Sequence, residues 1–286
     1  MQISKRNGTT EPYDAGKIKR AMGAAFRSVG SALTDGEAAR LVANVERAME
    51  AVSCDGAIAV EDVQDLVERA LMEANYYQEL KSYILYREER TRKRMAREKL
   101  CAQLAGVSGL ADALAAAQKE FPEEEYELAH LQAKFQSFAK PEASDDQKLA
   151  MLIKAAVELT TQEAPRWEMI AARLLMLQFE RALAERMAVR RIDGFAQKVA
   201  YLAEEGLYGD YILQSYTPAE LDEAAAFIDL RRNDLFTYAG LQLLLDRYVI
   251  RTHQGAPLES PQEMFLGIAL HLAMKERVED RMQWVR

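Results

Sequence analysis

Apolar positions recur at helical spacing along most of the chain, and two short alternating segments open it. Residues 2–6 and 9–13 alternate around Asn7-Gly8, a pair that favours a tight hairpin turn because both residues tolerate positive φ. Asp14 then occupies the N-cap position of an amphipathic helix. The apolar face of that helix contains Ile18, Met22, Ala25, Phe26 and Val29. The pattern predicts a β-hairpin followed by a helix.

Three more helices are predicted before residue 100. A second amphipathic helix spans about residues 35–52, and a short extended piece follows at Ile58 and Val60. A third helix opens at the acidic pair 61–62, because carboxylates favour a helix N-terminus. The fourth helix begins near Tyr77 and runs into the densest basic stretch of the chain. We interpret most of that basic stretch as a solvated helix end.

The rest of the chain is also predicted to be helical. Residues 96–144 are rich in alanine and glutamate and contain glycine and proline breaks, which predicts a helical connector with flexible joints. Strong helical periodicity returns over residues 145–286. At 217–220 and 260–263, a hydroxyl N-cap precedes a proline and, three residues after the cap, a carboxylate, which is typical of helix starts. Residues 248–258 are predicted to form a β-ribbon with a glycine in its turn.

Composition restricts the class of protein. The chain of 286 residues is 49% hydrophobic, which is ample for a core in each of two domains. Its net charge of −8 disfavours nucleic acid and anionic membranes as partners. The first ten residues lack the apolar core of a signal peptide, and no apolar run approaches the roughly 18 residues that a membrane-spanning helix needs. We therefore expect a cytoplasmic globular protein.

Cysteine and histidine are too sparse for disulfide or metal chemistry. Cys54 and Cys101 are the two cysteines, which are too few for a disulfide framework or a cysteine zinc site. His130, His253 and His271 are scattered along the chain, without the spacing of a ligand cluster. We predict no metal site.

One cluster of charged residues could hold a ligand. Lys5, Arg6, Glu11, Asp14 and Lys17 fall within the predicted hairpin and the first turn of the helix that follows it. Cations beside a helix N-terminus, whose amides point outward, form a local site for a phosphate chain in an otherwise acidic protein. The alternative is an exposed ribbon whose charges pair in solvent, and on pattern alone this alternative is favoured.

These residues belong to a longer pattern. It consists of Ile3-Ser-Lys5-Arg6-Asn7-Gly8, Glu11-Pro-Tyr-Asp14, Lys17-Ile18, Val60-Glu-Asp-Val63-Gln64 and Tyr83-Ile-Leu-Tyr86-Arg87. In this order the segments resemble the ATP-cone, a regulatory nucleotide-binding domain, and they cover about residues 1–95. The resemblance implies a domain of four helices with a small β-hairpin cap.

The resemblance assigns phosphate-binding roles to basic residues in the hairpin, in the first helix and in the last helix of the cone. Lys5 and Arg6 are implied to hold the nucleotide phosphates, with Lys17 on the helix beside them. Arg87 or Arg90 is implied to reach phosphate from the last helix of the cone. The assignment on the last helix has several equivalent candidates, because the basic stretch continues beyond it.

Five further residues are implied to contact the rest of the nucleotide. Glu11 and Asp14 lie in the segment that wraps the nucleotide in the family, and Ile18, Val60 and Gln64 correspond to positions that line the base and sugar. In the family, ATP in the cone activates the enzyme and dATP inhibits it by changing subunit assembly. Such regulation requires that the binding free energies of the two nucleotides differ between quaternary states.

The second half carries its own resemblance. Its segments are Ala171-Ala-Arg173-Leu-Leu, the run from Phe227 to Gly240, and residues 248–258 with the Pro261-Gln262-Glu-Met264 that follows. These are similar to the amino-terminal helical domain of class I ribonucleotide reductase large subunits, where a β-ribbon and a Pro-Gln-x-Met helix precede the catalytic barrel. The similarity covers about residues 145–286. We expect most apolar residues of these segments to pack in a core.

The chemistry of that family requires residues that this chain does not match. Reduction of the ribose 2′ carbon uses a thiyl cysteine, a redox-active cysteine pair, a carboxylate and an amide, and in the family all of them lie in the ten-stranded barrel. Neither Cys54 nor Cys101 corresponds to one of these cysteines. The resemblance therefore implies no catalytic residue and no redox cofactor in this chain. We expect the chain to be inactive alone, as a truncated piece or as one part of a split subunit.

The sequence thus predicts a mainly α (α+β) protein. Its expected parts are an ATP-cone at 1–95, a helical connector at 96–144 and a helical domain with a β-ribbon at 145–286, with the ten-stranded barrel absent. The implied function is the overall-activity site of ribonucleoside-diphosphate reductase, which makes deoxyribonucleotides, with ATP or dATP as effectors that Mg²⁺ can accompany. The implied partners are the C-terminal catalytic part of the large subunit, the radical-generating small (beta) subunit and further copies of the large subunit.

Other functions are compatible with part of the pattern. A stand-alone nucleotide-sensing regulator or scaffold can carry an ATP-cone, but a transcriptional repressor of that type has a preceding cysteine zinc ribbon, for which this chain has no room. Cobalamin-dependent and glycyl-radical reductases share the cone as well, and the ribbon with the Pro-Gln-x-Met segment favours class I. A scaffold that holds nucleic acid through the basic stretch is disfavoured by the net charge of −8.

Overall fold

The structure, a computed structural model, describes residues 1–5, 9–53 and 56–286. Its contacts divide the chain into two compact units, Met1–Met95 and Ala96–Arg286. The elements are mostly helices, with one small sheet, so the predicted mainly α fold class is confirmed. The predicted turn at Asn7-Gly8, the site residue Arg6 and the thiol of Cys54 lie outside the described residues.

The sheet of the first unit has three short strands in the order β2-β1-β3. β1 (Gln2–Ser4) pairs antiparallel with β2 (Thr10–Pro12) and parallel with β3 (Ala57–Ala59). The hairpin strands are therefore shorter than the predicted 2–6 and 9–13. The extended piece predicted at Ile58 and Val60 lies one residue earlier, at Ala57–Ala59, because Val60 is the first residue of the helix that β3 leads into.

In the part of the first unit that the structure describes, four helices accompany this sheet: α1 (Ala15–Ser28), α2 (Asp35–Val52), α3 (Val60–Glu73) and α4 (Tyr77–Gln103). Asp14 caps α1 as predicted, since its side chain accepts a hydrogen bond from the backbone N–H of Gly16. Val29, predicted on the apolar face of α1, is instead its C-cap residue and is 38% exposed. The reason is that the chain leaves the helix there and Gly30 adopts a φ of +76°.

The core of the first unit lies between the sheet and the helices. Ile3 and Ile58 are paired across the parallel strands, so their side chains lie on the same face of the sheet, and both are buried. They pack with side chains from the helices, including Met22, Phe26, Val45, Met49 and Leu71. This packing fixes the sheet edge from which the candidate site is built.

The second unit contains ten helices besides the end of α4, counted over Ala96–Arg286 as the structure describes it. They are α5 (Leu110–Glu120), α6 (Leu128–Phe138), α7 (Asp145–Glu158), α8 (Trp167–Arg190), α9 (Phe195–Glu204), α10 (Tyr211–Ser215), α11 (Pro218–Ala225), α12 (Tyr238–Arg247), α13 (Pro261–Ala273) and α14 (Arg281–Val285). The long helix α8 is central, since it contacts α5, α7 and α12. Buried Trp167 at its start donates from Nε1 to the carbonyl of Glu125.

The segment 96–144, which we predicted as a connector with flexible joints, contributes to the core of the second unit. Leu104, Leu114, Leu131 and Phe135 are buried in the same apolar cluster as α7 and α8. The alanine- and glutamate-rich composition does not indicate this contribution to the core, because a few large apolar residues at helical spacing suffice to bury one face of each helix.

The predicted helix starts and ribbon are present in the second unit. Thr217 and Ser260 each form a capping box with the carboxylate three residues later. The ribbon is reduced to a single antiparallel bridge between Arg251 and Pro257, with Gly255 in its turn at a φ of +84°. A second, smaller core joins α9, α11 and α13. Among the described residues, no helix combines the length and apolar character needed to cross a bilayer.

Candidate functional site

The candidate site lies at one end of the parallel strand pair. Ser4 at the end of β1 is in register with Ala59 at the end of β3, so the residues that follow, Lys5 and Val60, emerge at the same edge of the sheet. The backbone N–H of Lys5 donates to the carbonyl of Thr9, which extends the β1–β2 pairing by one hydrogen bond. Lys5 is thereby held beside the start of α3.

Glu11 joins two of the predicted cations. It lies opposite Ile3 in the antiparallel pair, so both side chains lie on the same face of the sheet. Its Oε2 is 2.8 Å from the Nζ of Lys5, and its Oε1 is 2.8 Å from the Nζ of Lys17. The hydrogen bonds from Lys17 and then from Lys5 lower the pKa of this carboxyl. Glu11 therefore holds the two ammonium groups at neighbouring positions, both of them partly exposed to solvent.

The N-terminus of α1 adds positive potential to this cluster. Asp14 caps the helix, no acidic residue occupies its first turn, and Lys17 lies in that turn. Arg20, one turn later on the same side of the helix, reaches Oδ2 of Asp14 at 3.4 Å. Arg20 lies outside the sequence segments that predict the site, and its spacing of three residues from Lys17 is the signal that would place it on this side of α1.

The residues predicted near the base and sugar are apolar or amide side chains around the same edge. Ile18 is buried in the core of the first unit, next to Lys17 in sequence. Val60 and Gln64 are partly buried and lie one turn apart at the start of α3. The first turn of α3 has no side-chain cap, in contrast to α1.

The arginines predicted on α4 have other contacts. The Nη1 atom of Arg87 donates to Oδ1 of Asp65 and to Oε1 of Glu68, at 2.6 Å each. Burial lowers the pKa of Arg87, but these two carboxylates outweigh it and leave the pKa raised. Arg90 donates to the hydroxyl of Tyr86 and lies over its ring. Arg87 thus connects α4 to α3, a role that the sequence did not indicate.

Metal-ligating and nucleophilic groups do not assemble elsewhere in the described ranges. No group of three or more histidine, cysteine or acidic side chains there could hold a metal ion. Cys101 is a partly buried free thiol whose pKa is raised by burial. The site therefore offers charge and hydrogen bonding to a ligand.

Comparisons with known proteins find two family matches in the chain. Residues 1–92 match the family model of the ATP cone domain, and residues 234–286 match that of the ribonucleotide reductase all-alpha domain. These matches confirm both resemblances predicted from the sequence.

Relatives extend the similarity over the whole chain. The chain is 49% identical over 292 residues to the ribonucleoside-diphosphate reductase subunit alpha of Treponema pallidum, a match that covers 100% of the chain and 34% of that protein. It is 29% identical over 321 residues to the alpha subunit of Chlamydia trachomatis, covering 99% of the chain and 29% of that protein. The subunit alpha of reductase 1 of Escherichia coli matches 47% of the chain at 28% identity and is covered to 18%. The chain spans about a third or less of the length of these relatives.

Proposed function

We propose that this chain binds ATP or dATP as an allosteric effector at the cluster of Lys5, Glu11 and Lys17. The premise is that residues 1–92 match the ATP cone domain and residues 234–286 match the ribonucleotide reductase all-alpha domain. The observation that carries the proposal is the double ion pair, in which one carboxylate holds two ammonium groups beside a helix N-terminus.

Electrostatics support a triphosphate at this position. A single carboxylate does not exhaust two ammonium groups, each of which has three donors, and both lysines keep solvent-exposed surface. The N-terminus of α1 also favours an anion nearby, although the N–H of Gly16 already donates to Asp14. Because the whole chain carries a net charge of −8, attraction of a nucleotide has to come from such a local concentration of cations. Mg²⁺ can accompany the phosphates.

We assign the remaining predicted residues to the surroundings of a nucleotide whose phosphates lie at the lysines. Val60 and Gln64, at the start of α3, offer an apolar surface and an amide to the base and sugar, and Ile18 supports this surface from the core. Arg6 would add a further cation. Arg87 would bind phosphate only in competition with Asp65 and Glu68, so we assign it to the α3–α4 connection.

Regulation would follow from coupling to assembly. ATP and dATP differ by one hydroxyl, so the proposal requires a difference in their binding free energies between assembly states of the subunit. The partners in this proposal are the catalytic part of the alpha subunit, the radical-generating beta subunit and further alpha copies. The 286-residue chain alone is expected to show no reductase activity, which an assay of deoxyribonucleotide formation checks.

Calorimetric titration of the chain with ATP and dATP tests the site. Lys5→Ala and Lys17→Ala should each raise the Kd by about 10- to 100-fold, since a hydrogen bond to a charged group contributes about 1.5–3 kcal/mol. Lys19→Ala is the matched control, because Lys19 lies on the same helix and pairs with Asp35 instead. Adenosine, which lacks phosphates, should bind weakly and without dependence on either lysine.

Two results would contradict the proposal. One is the absence of ATP and dATP binding at millimolar concentration. The other is an equal effect of Lys5→Ala, Lys17→Ala and the control Lys19→Ala, which would show that nonspecific charge, rather than the Glu11-centred cluster, attracts the nucleotide.

A further inference from the structure

Helix α13 is apolar on both of its faces. One face, with Met264, Leu266 and Leu270, is buried in the cores of the second unit. The opposite face carries three large apolar side chains that we call the α13 stripe: Phe265 (50% exposed), Ile268 (50%) and Leu272 (70%). Their spacing of three and four residues places them in one row along the helix.

An open groove of about 380 Å³ adjoins the stripe. Phe265 lines both, and Leu235, which is 75% exposed, lies in the groove wall. The rim carries two cations, Arg232 and Arg286, the second of which stacks on Phe227. The surface is thus apolar in the middle and positively charged at the rim.

This arrangement is characteristic of an interface. A helix with large apolar side chains on two sides is normally covered on both, and a contiguous apolar patch with a polar rim marks a contact site. Isolated exposed apolar residues need no such explanation, and Val189 on α8, which is 82% exposed, is an example.

The length of the relatives offers one occupant for this surface. The stripe and most of the groove lie within residues 234–286, the part that matches the all-alpha domain of the reductase. The match to the Treponema pallidum alpha subunit covers the whole chain but 34% of that protein, so about two thirds of the relative lie outside the matched region. We propose that the α13 stripe and its groove dock that remaining part of the alpha subunit, through an apolar surface with carboxylates facing Arg232 and Arg286. The inference rests on the proposed place of this chain in a reductase alpha subunit.

Hydroxyl-radical footprinting of the unmodified protein tests this docking surface. The 286-residue chain is compared with the complete alpha subunit that contains it, whether as one polypeptide or as a complex, and yields are normalised to an added peptide. Oxidation of Phe265, Ile268 and Leu272 should fall at least tenfold in the complete subunit. Equal oxidation in both forms overturns the proposal. Protection in the isolated chain that increases with its concentration also overturns it, because the occupant would then be a second copy.

A pair of variants adds a functional readout. Leu272→Asp should lower the Tm of the complete subunit and leave the Tm of the 286-residue chain unchanged, because the side chain is exposed in the chain alone. Val189→Asp, the matched control, should change neither. An unchanged Tm of the complete subunit with Leu272→Asp contradicts the proposal. Loss of nucleotide binding at Lys5 and Lys17 is measured separately, so failure of the effector site does not imitate failure of the docking surface.

Discussion

The buried carboxyl of Glu259 is expected to make the stability of the second unit depend on pH. Its side chain is 3% exposed, and its Oε1 accepts a hydrogen bond from the backbone N–H of Ile250 at 2.9 Å. The nearby cation, Lys198, is already paired with Glu263 at 2.6 Å. Burial is the main cause that raises the pKa of Glu259 to about 7, with a further contribution from Glu263.

The sign of the pH effect follows from this raised value. Because the folded-state pKa of about 7 exceeds the ordinary 4.5, the folded protein binds more protons than the unfolded chain between these pH values. The contribution of Glu259 to the free energy of unfolding is therefore most favourable below pH 4.5 and decreases as the pH rises from 4.5 to about 7. At about 1.4 kcal/mol for each pKa unit, Glu259 should lower the free energy of unfolding by about 2–3 kcal/mol between pH 5 and 8.

Urea denaturation of the wild type and of Glu259→Gln at pH 5 and pH 8 measures this contribution. Glutamine keeps an oxygen that accepts from the N–H of Ile250 and has no charge, so the free energy of unfolding of the variant should not fall through this group as the pH rises. At pH 8 it should exceed that of the wild type by about 2–3 kcal/mol. Glu205→Gln, at an exposed position, is the control. If the free energies of unfolding of wild type and Glu259→Gln change in parallel with pH, the pKa of Glu259 is not raised by folding.

Three further substitutions test the packing and the local signals of the second unit. Leu114→Ala, within the segment predicted as a connector, should reduce the free energy of unfolding by about 2–5 kcal/mol in urea melts, because Leu114 is fully buried. A loss below about 1 kcal/mol would mean that this segment is not part of the core. Ser260→Ala removes the N-cap of α13 and should cost about 1 kcal/mol, whereas an unchanged melt would argue against the capping box. Gly255→Ala should cost about 1–2 kcal/mol by thermal denaturation, since Gly255 has positive φ, and a neutral effect would contradict the turn geometry.

Local patterns in the sequence were sufficient for much of the fold. The cap at Asp14, the apolar face from Ile18 to Phe26 and the capping boxes depend on neighbours within a few residues, and each appears where the pattern predicts it. Strand β3 was not predicted as a partner of β1, because three residues contain too little periodicity to reveal a parallel pairing with a strand more than fifty residues away.

The same distinction between local and distant contacts applies to the candidate site. Lys5, Glu11 and Lys17 are close in sequence, and the structure brings them into direct contact. Arg87 belongs to the same sequence pattern, but its carboxylate partners lie on α3, 19 and 22 residues away in sequence. A motif identifies which residue types occur at a site, whereas competition between a ligand and distant side chains depends on tertiary packing.

Our proposal depends most on the binding of nucleotide phosphates by the two lysines that Glu11 holds. It is tested most directly by NMR of the lysine side chains in the 286-residue chain, with signals assigned through Lys→Arg variants, during titration with ATP and dATP. We expect saturable shifts of the Lys5 and Lys17 signals, with little change at Lys19, which pairs with Asp35. Unchanged signals from Lys5 and Lys17 at saturating nucleotide, or shifts of the same size at Lys19, would contradict it.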